Sequence, residues 1–209
     1  MQNIGIIGYG KLGQQLYELL LEANYQPRDL IVFDDNIAKD GDYSRPFADY
    51  KKYDRNIRYI VALGYKQLKL KSRIIEELKQ HGCQLFTYIH SSVYISESAH
   101  IGDSVLLFSG TIVEQHARVS DGCICYYRTT IAHDCVLERS VFLAPSVTIC
   151  GDSKIGSNSF IGAGSIVGNG INIGKGVQIG MASSVQSDIA DDVSCIGNPL
   201  RIVRSIKLK

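Results

Sequence analysis

From Ile89 to Val185 an aliphatic residue returns at every sixth position without a slip. The anchors are Ile89, Ile95, Ile101, Leu107, Val113, Val119, Cys125, Ile131, Leu137, Leu143, Ile149, Ile155, Ile161, Val167, Ile173, Ile179 and Val185, and only Cys125 is not Leu, Ile or Val. Four residues after most anchors stands a second small or branched residue, among them Val93, Ala99, Val105, Thr111, Ala117, Cys123, Cys135, Val141, Ser159, Ser165 and Val177. A period of six matches neither the 3.6-residue helix nor a long strand of period two. It matches a parallel β-helix of hexapeptides, in which three hexads close a triangular coil of about 18 residues and both columns point inward. The array over residues 89–190 therefore predicts between five and six coils. Glycine directly after an anchor, as at Gly102, Gly156, Gly162, Gly168, Gly174 and Gly180, is expected at the corners to supply positive φ.

The 22 Lys and Arg against 21 Asp and Glu leave a net charge of +1. Such a balance offers no electrostatic footprint for nucleic acid or an anionic membrane. The opening MQNIGIIGYGKLGQ lacks a basic segment followed by a long apolar run, and no stretch approaches 18 apolar residues, so a soluble cytoplasmic protein is expected. The six cysteines form no CxxC pair and suggest neither a zinc site nor a disulfide framework. Cys123 and Cys135 fall on the inward i+4 column and Cys125 on the anchor column, so the six as a group read as small buried hydrophobes in a reducing compartment. No histidine is placed to activate a catalytic thiol, and no metal is called for.

Residues 1–88 have another character. NIGII reads as a buried strand, and Gly8-Tyr9-Gly10-Lys11-Leu12-Gly13 then opens the helical pattern QQLYELLLEA. This is a complete GxGxxG between a strand and a helix, where glycines let the backbone approach a phosphate at a helix N-terminus. A second strand, LIVFDD, ends in Asp34 and Asp35, at the distance where such folds place an acid near a ribose or base. A third, IRYIVALG, ends in Gly64-Tyr65-Lys66 and is followed by a helix through SRIIEELKQHG. Three or four strands and two helices make one mononucleotide-binding half. A nucleoside diphosphate fits that scaffold better than NAD or NADP, and a ligand-free βα turn is the plain alternative.

Residues 191–209 form a cap and tail. Gly197-Asn198-Pro199-Leu200-Arg201 ends the coils in a turn, and Arg201, Arg204, Lys207 and Lys209 give a basic end, either a solvated guard against edge pairing or a phosphate contact. Among outward residues of the coils His133-Asp134 stands out, because an imidazole beside a carboxylate can take a proton near neutral pH. Residues 18 apart stack, so Asp134 is expected over His116 and His133 over Gln115, gathering two imidazoles and a carboxylate. An ordinary exposed histidine is the alternative. His90 and His100 read as structural, His81 as a helix end, and the Tyr126-Tyr127 pair as packing against a neighbouring chain rather than lining a groove.

Taken together, IIGYG, FDD, IVALG, YIHSSVYISESAHIG, IAHDC within an unbroken hexapeptide array, and the final GNPLR resemble the sugar-nucleotide acetyltransferases of sialic-acid and bacillosamine biosynthesis. The resemblance spans essentially the whole chain. It implies a small Rossmann-like α/β domain followed by a left-handed parallel β-helix solenoid, a homotrimer with active sites between two β-helices, and acetyl-CoA laid along the coils. By motif match His133 is the general base and Asp134 its acidic partner. Gly151 and Gly180-Met181-Ala182 meet the pantetheine arm, and Pro199 and Arg201 the far end of CoA. Gly8, Tyr9, Gly10, Lys11, Gly13, Asp34, Asp35, Gly64 and Lys66 hold a UDP- or dTDP-linked amino sugar. Two positions depart from the family: Lys11 and Leu12 replace a Gly-His pair, and Phe142 stands where many members carry a second histidine near the acetyl group. The implied reaction is N-acetylation of a nucleotide-linked dideoxy sugar, at its C4 amine, for bacterial surface glycans such as O-antigen. The rivals are O-acetylation of a sialic-acid-like sugar, a non-catalytic sugar-nucleotide scaffold, and an NAD-dependent oxidoreductase.

Overall fold

The computed structural model describes residues 3–36, 44–53 and 57–203, and divides the chain into compact units of residues 1–86 and 87–209. In the first unit the apolar run Asn3–Ile7 forms β1, with four of its five residues buried. Helix α1, Lys11–Glu22, buries Leu12, Gly13, Leu16 and Leu20, the i, i+4 stripe of a helix laid on a sheet. Then follow β2 (Leu30–Phe33), β3 (Ser44–Arg45), β4 (Ile57–Val61), α2 (Leu68–Gln80) and β5 (Gln84–Leu85). Among the described residues five strands pair in the order β3-β2-β1-β4-β5, all parallel, against the three or four expected. The extra pieces are two-residue strands at the two edges, too short to show as a periodic run.

The glycine motif does specific steric work here. Gly8 turns the chain at φ 91°, and a Cβ on Gly13 would run into the Gly8 carbonyl, so α1 can start this close to β1 only with glycine at 13.

In the second unit every hexad contributes a two-residue strand. The strands stack in three sheets of six, five and eight members, the last including a closing antiparallel hairpin of Ser194–Ile196 with Arg201–Val203. Val113 pairs with Ile131 and Ile131 with Ile149, so each residue lies over the one 18 positions earlier, as the repeat requires. From Leu107 to Val185 the anchors are at most 3% exposed, and with Val105, Ala117, Val141 and Val177 they form one continuous apolar core.

Two expectations need correction. The glycines after the anchors are not the positive-φ positions. That role falls three residues after the anchor, at Ser104, Gly110, His116, Gly122, Arg128, Asp134, Ser140, Ser146, Asp152 and Asn158, whereas Gly156 and Gly162 serve close approach between coils. A Cβ on Gly156 would lie 2.5 Å from the Gly174 carbonyl carbon, and one on Gly162 2.5 Å from the Met181 nitrogen. Cysteine burial is also uneven. Cys123, Cys125 and Cys135 are fully buried, but Cys83, just past α2, and Cys150, at a solenoid corner, are partly exposed. Tyr126 packs within its own chain, stacked on Phe108 at 4.4 Å between ring centres and on Phe142 at 5.3 Å.

Candidate functional site

His133 lies in the corner after the strand Thr130–Ile131, and its position is fixed largely by backbone. The Glu114 carboxylate, one coil below, accepts its N–H at 3.1 Å, and its carbonyl accepts the Asp152 N–H from the coil above at 3.1 Å. Asp134 takes the left-handed conformation at φ 58°, which Asp tolerates better than most residues, and donates its N–H to the Gln115 carbonyl at 2.9 Å. That turn brings Asp134 Oδ2 to 3.0 Å from His133 Nδ1. The hydrogen bond to Asp134 raises the His133 pKa above its ordinary 6.5; partial desolvation opposes this, and the charges of Asp152, Asp134 and Glu114 reinforce it.

Against the imidazole, in the coil above, lies Gly151. A Cβ there would come within 2.5 Å of His133 Cε1 and Nε2, so the ring occupies the space that any larger residue would fill. At two other corners the equivalent amide is capped from one coil below, His133 by Glu114 and Ser157 by Glu138. Beneath Gly151 the matching position is Ala132, which has no acceptor, and among the described residues the Gly151 N–H has no hydrogen-bond partner.

His116 lies one coil below Asp134, as the 18-residue register requires. His133, Asp134 and Asp152 each offer a polar atom within 4.8 Å of the others, a set able to hold a cation, and His116 is outside it. His116 instead donates its backbone N–H to Ser98 Oγ. Asp152 and Glu114 were missed by sequence reading, although the 18-residue stacking rule that placed Asp134 also puts Asp152 directly above it.

In the first unit the parallel order β2-β1-β4 brings three expected groups to one edge of the sheet, the carboxyl ends of those strands: Gly8 to Gly13, Asp34 with Asp35, and Gly64 with Lys66. Asp34 is engaged in shaping that edge. Its Oδ2 accepts the Tyr9 N–H at 2.7 Å and its Oδ1 the Asn36 N–H at 2.9 Å, while Asp35 Oδ1 accepts the Phe47 N–H at 2.8 Å. Gly10 is the N-cap of α1 with no side-chain cap, and Lys11, the first helical residue, is exposed.

On the solenoid, Gly180-Met181-Ala182 forms a corner with Met181 71% exposed, Ala182 at φ 52° and Gly180 against Ile196. Pro199 follows a cis peptide from Asn198, and Arg201 is exposed on the closing hairpin. Arg204, Lys207 and Lys209 lie outside the described residues. Phe142 is on a different sheet from the His133 corner, 7% exposed, between Tyr126 and Phe160 in a ladder of rings.

Comparison with known proteins agrees with this architecture. The family model "Bacterial transferase hexapeptide (six repeats)" matches residues 134–169. A stretch of 97 residues, 46% of the chain, is 28% identical to the bifunctional protein GlmU of Bacillus velezensis, and the chain spans only 20% of that relative's length. The acetyltransferase domain of PglB from Neisseria gonorrhoeae, in complex with acetyl coenzyme A, superposes with a TM-score of 0.86 at 25% identity, covering 97% of this chain and 99% of that one. PerB from Caulobacter crescentus, in complex with CoA and GDP-perosamine, gives a TM-score of 0.86 at 25% identity over 96% of this chain and 97% of that one. Among the described residues no helix is long and apolar enough to cross a membrane.

Proposed function

We propose that this protein is an acyltransferase that moves the acetyl group of acetyl-CoA onto the amine, at C4, of a nucleotide-linked amino-dideoxy sugar. The observation that carries the reading is the His133 corner. An imidazole bonded to Asp134 at 3.0 Å lies against Gly151, whose N–H has no partner among the described residues. A base and a preset donor for a developing oxyanion thus stand side by side. The likeness to PglB with acetyl-CoA and to PerB with CoA and a nucleotide-linked amino sugar supports the substrate pair.

Only the neutral amine is nucleophilic. Its nitrogen attacks the thioester carbonyl carbon while His133 removes a proton, and Asp134 stabilises the imidazolium. The Gly151 N–H donates to the carbonyl oxygen as it gains charge. Collapse breaks the C–S bond, and the proton held by His133 leaves with the thiolate as CoA thiol. Gly180, Met181, Ala182, Pro199 and Arg201 line the CoA path in this reading. The glycine loop with Tyr9 and Lys11, Asp34, Asp35, Gly64 and Lys66 hold the nucleotide, with Lys11 meeting the diphosphate by charge.

The nucleotide is UDP or dTDP by the sequence resemblance, and PerB's ligand adds GDP to the panel. The first unit acts as the Rossmann-like nucleotide domain, the solenoid is left-handed, and three chains assemble in the cytoplasm to serve surface-glycan synthesis. Incubation with acetyl-CoA and a panel of amino-sugar nucleotides, with thiol release as readout, tests the reading. Release with an amine but not with its hydroxyl counterpart supports it. Release with the hydroxyl sugar alone selects O-acetylation, and no release with any acceptor rejects the enzyme.

A further inference from the structure

The proposed mechanism uses His133 and Asp134 and leaves Asp152 without a part. Asp152 repeats the geometry of Asp134 one coil higher: it is three residues past the anchor Ile149, at φ 60° against 58°, and both carboxylates are exposed. Its backbone is tied to the base through the N–H to the His133 carbonyl. Polar atoms of His133, Asp134 and Asp152 lie within 4.8 Å of one another. Whatever the shape of such a triangle, one point lies within about 2.8 Å of all three corners, a hydrogen-bonding distance for a nitrogen donor. A primary ammonium has three N–H groups and one positive charge. A hydroxyl has one O–H and none.

We infer that Asp152 is the specificity-determining residue for the acceptor, holding the sugar as its ammonium in a tripod completed by Asp134 and a ring nitrogen of neutral His133. This rests on the N-acetyltransferase reading and extends it. Glu114, which caps His133 from below, adds a third carboxylate to the corner, so the site attracts a cation before chemistry begins. The bound ammonium first passes one proton to His133, which releases it to water through its exposed face. The resulting amine then attacks, losing its second proton as the N–C bond forms and the C–S bond breaks. Across the whole turnover the ammonium and acetyl-CoA become the amide, CoA thiol and one released proton.

Asp152→Asn is the sharp test, because asparagine is at home in the left-handed region and keeps the corner while removing the charge. Wild type, Asp152→Asn and Asp152→Glu are compared on the amino-sugar nucleotide that the wild type acetylates and on its hydroxyl counterpart. Losing a charged hydrogen bond to the acceptor should raise the acceptor KM by about 10- to 100-fold in Asp152→Asn and narrow the amine-over-hydroxyl preference by a similar factor. The acetyl-CoA KM should stay within about twofold, and Asp152→Glu should recover part of the acceptor affinity, a pattern that a merely structural lesion would not give. An Asp152→Asn enzyme with unchanged acceptor KM and preference, or one whose acetyl-CoA KM rises in parallel, overturns this inference alone. A wild type that acetylates no amine overturns the functional reading along with it.

Discussion

At the scale of single residues, His133 is held by a neighbour in sequence, Asp134, and a neighbour in space, Glu114. If it is the base, His133→Ala should lower kcat by about 10²- to 10⁴-fold at saturating substrates, and a loss of only a few-fold would remove it from that role. The hydrogen bond that His133 donates to Asp134 favours the imidazolium, so the His133 pKa lies above 6.5, and the neutral form that a base needs disappears as pH falls through that raised value. Asp134→Asn takes away the principal cause of the rise. The acid limb of its kcat/KM profile should therefore move to lower pH while its plateau falls, and a limb that stays in place would deny the coupling. Gly151→Ala probes the same corner from the coil above. Its Cβ would meet the tip of an exposed side chain rather than backbone, so the imidazole shifts and the coil survives. About 10- to 100-fold lower kcat, with an unchanged melting temperature, is expected from misplacing a base by roughly an ångström. The His-Asp pair was legible in the sequence because the residues adjoin and the register faces them outward. Asp152 was equally within reach of the stacking rule, but a lone aspartate in a polar turn carries no signal until it is set beside His133.

At the scale of the element, the hexad declared its inward columns because burial selects for apolar side chains, and the structure keeps that register through the array. The corners were misread for a physical reason. Positive φ and close backbone approach both favour glycine, and composition alone does not separate them. Here Asp, Asn, Ser and even Arg128 take the left-handed position, whereas the glycines after anchors yield room to the next coil. Capping side chains then fasten coil to coil. Glu138 shows how: its Oε2 accepts the Ser157 N–H at 3.1 Å and the Ser157 hydroxyl at 2.8 Å, and its Oε1 pairs with Lys154 at 2.9 Å. The Lys154 contact, foremost, and the bonds from Ser157 hold its carboxyl at about 2 rather than the ordinary 4.5, against partial desolvation. Because the folded value is depressed, the contribution is complete above about pH 4.5 and is lost as pH falls towards about 2. Glu138→Ala should thus destabilise the protein by about 1–3 kcal/mol near neutrality, with the gap to wild type in denaturant melts shrinking on acidification below pH 4.5. A gap independent of pH would point to packing rather than charge.

At the scale of the whole molecule, two separate cores imply two separable tasks, one around Ile7, Phe33 and Tyr59 in the sheet, the other along the solenoid. The glycine motif and the acids after β2 were legible in the sequence, and the strand order gathers them at one edge of the sheet. What they could not convey is that Asp34 is already bonded to the Tyr9 and Asn36 amides, since a contact spanning 25 residues follows from strand order and not from local pattern. If this edge holds the nucleotide as proposed, Asp34 acts through the loop it holds. Asp34→Ala frees the Tyr9 amide and loosens the loop between β1 and α1, so the KM for the sugar nucleotide should rise by about 10-fold or more, the effect of losing a charge-assisted hydrogen bond. The solenoid tasks should be untouched, with the acetyl-CoA KM unchanged and turnover of a nucleotide-free amino sugar equal in variant and wild type. Steady-state kinetics with the two acceptors side by side decides it. A parallel fall with both acceptors would mean that the first unit contributes to the chemistry itself, and an unchanged sugar-nucleotide KM would remove Asp34 from nucleotide recognition.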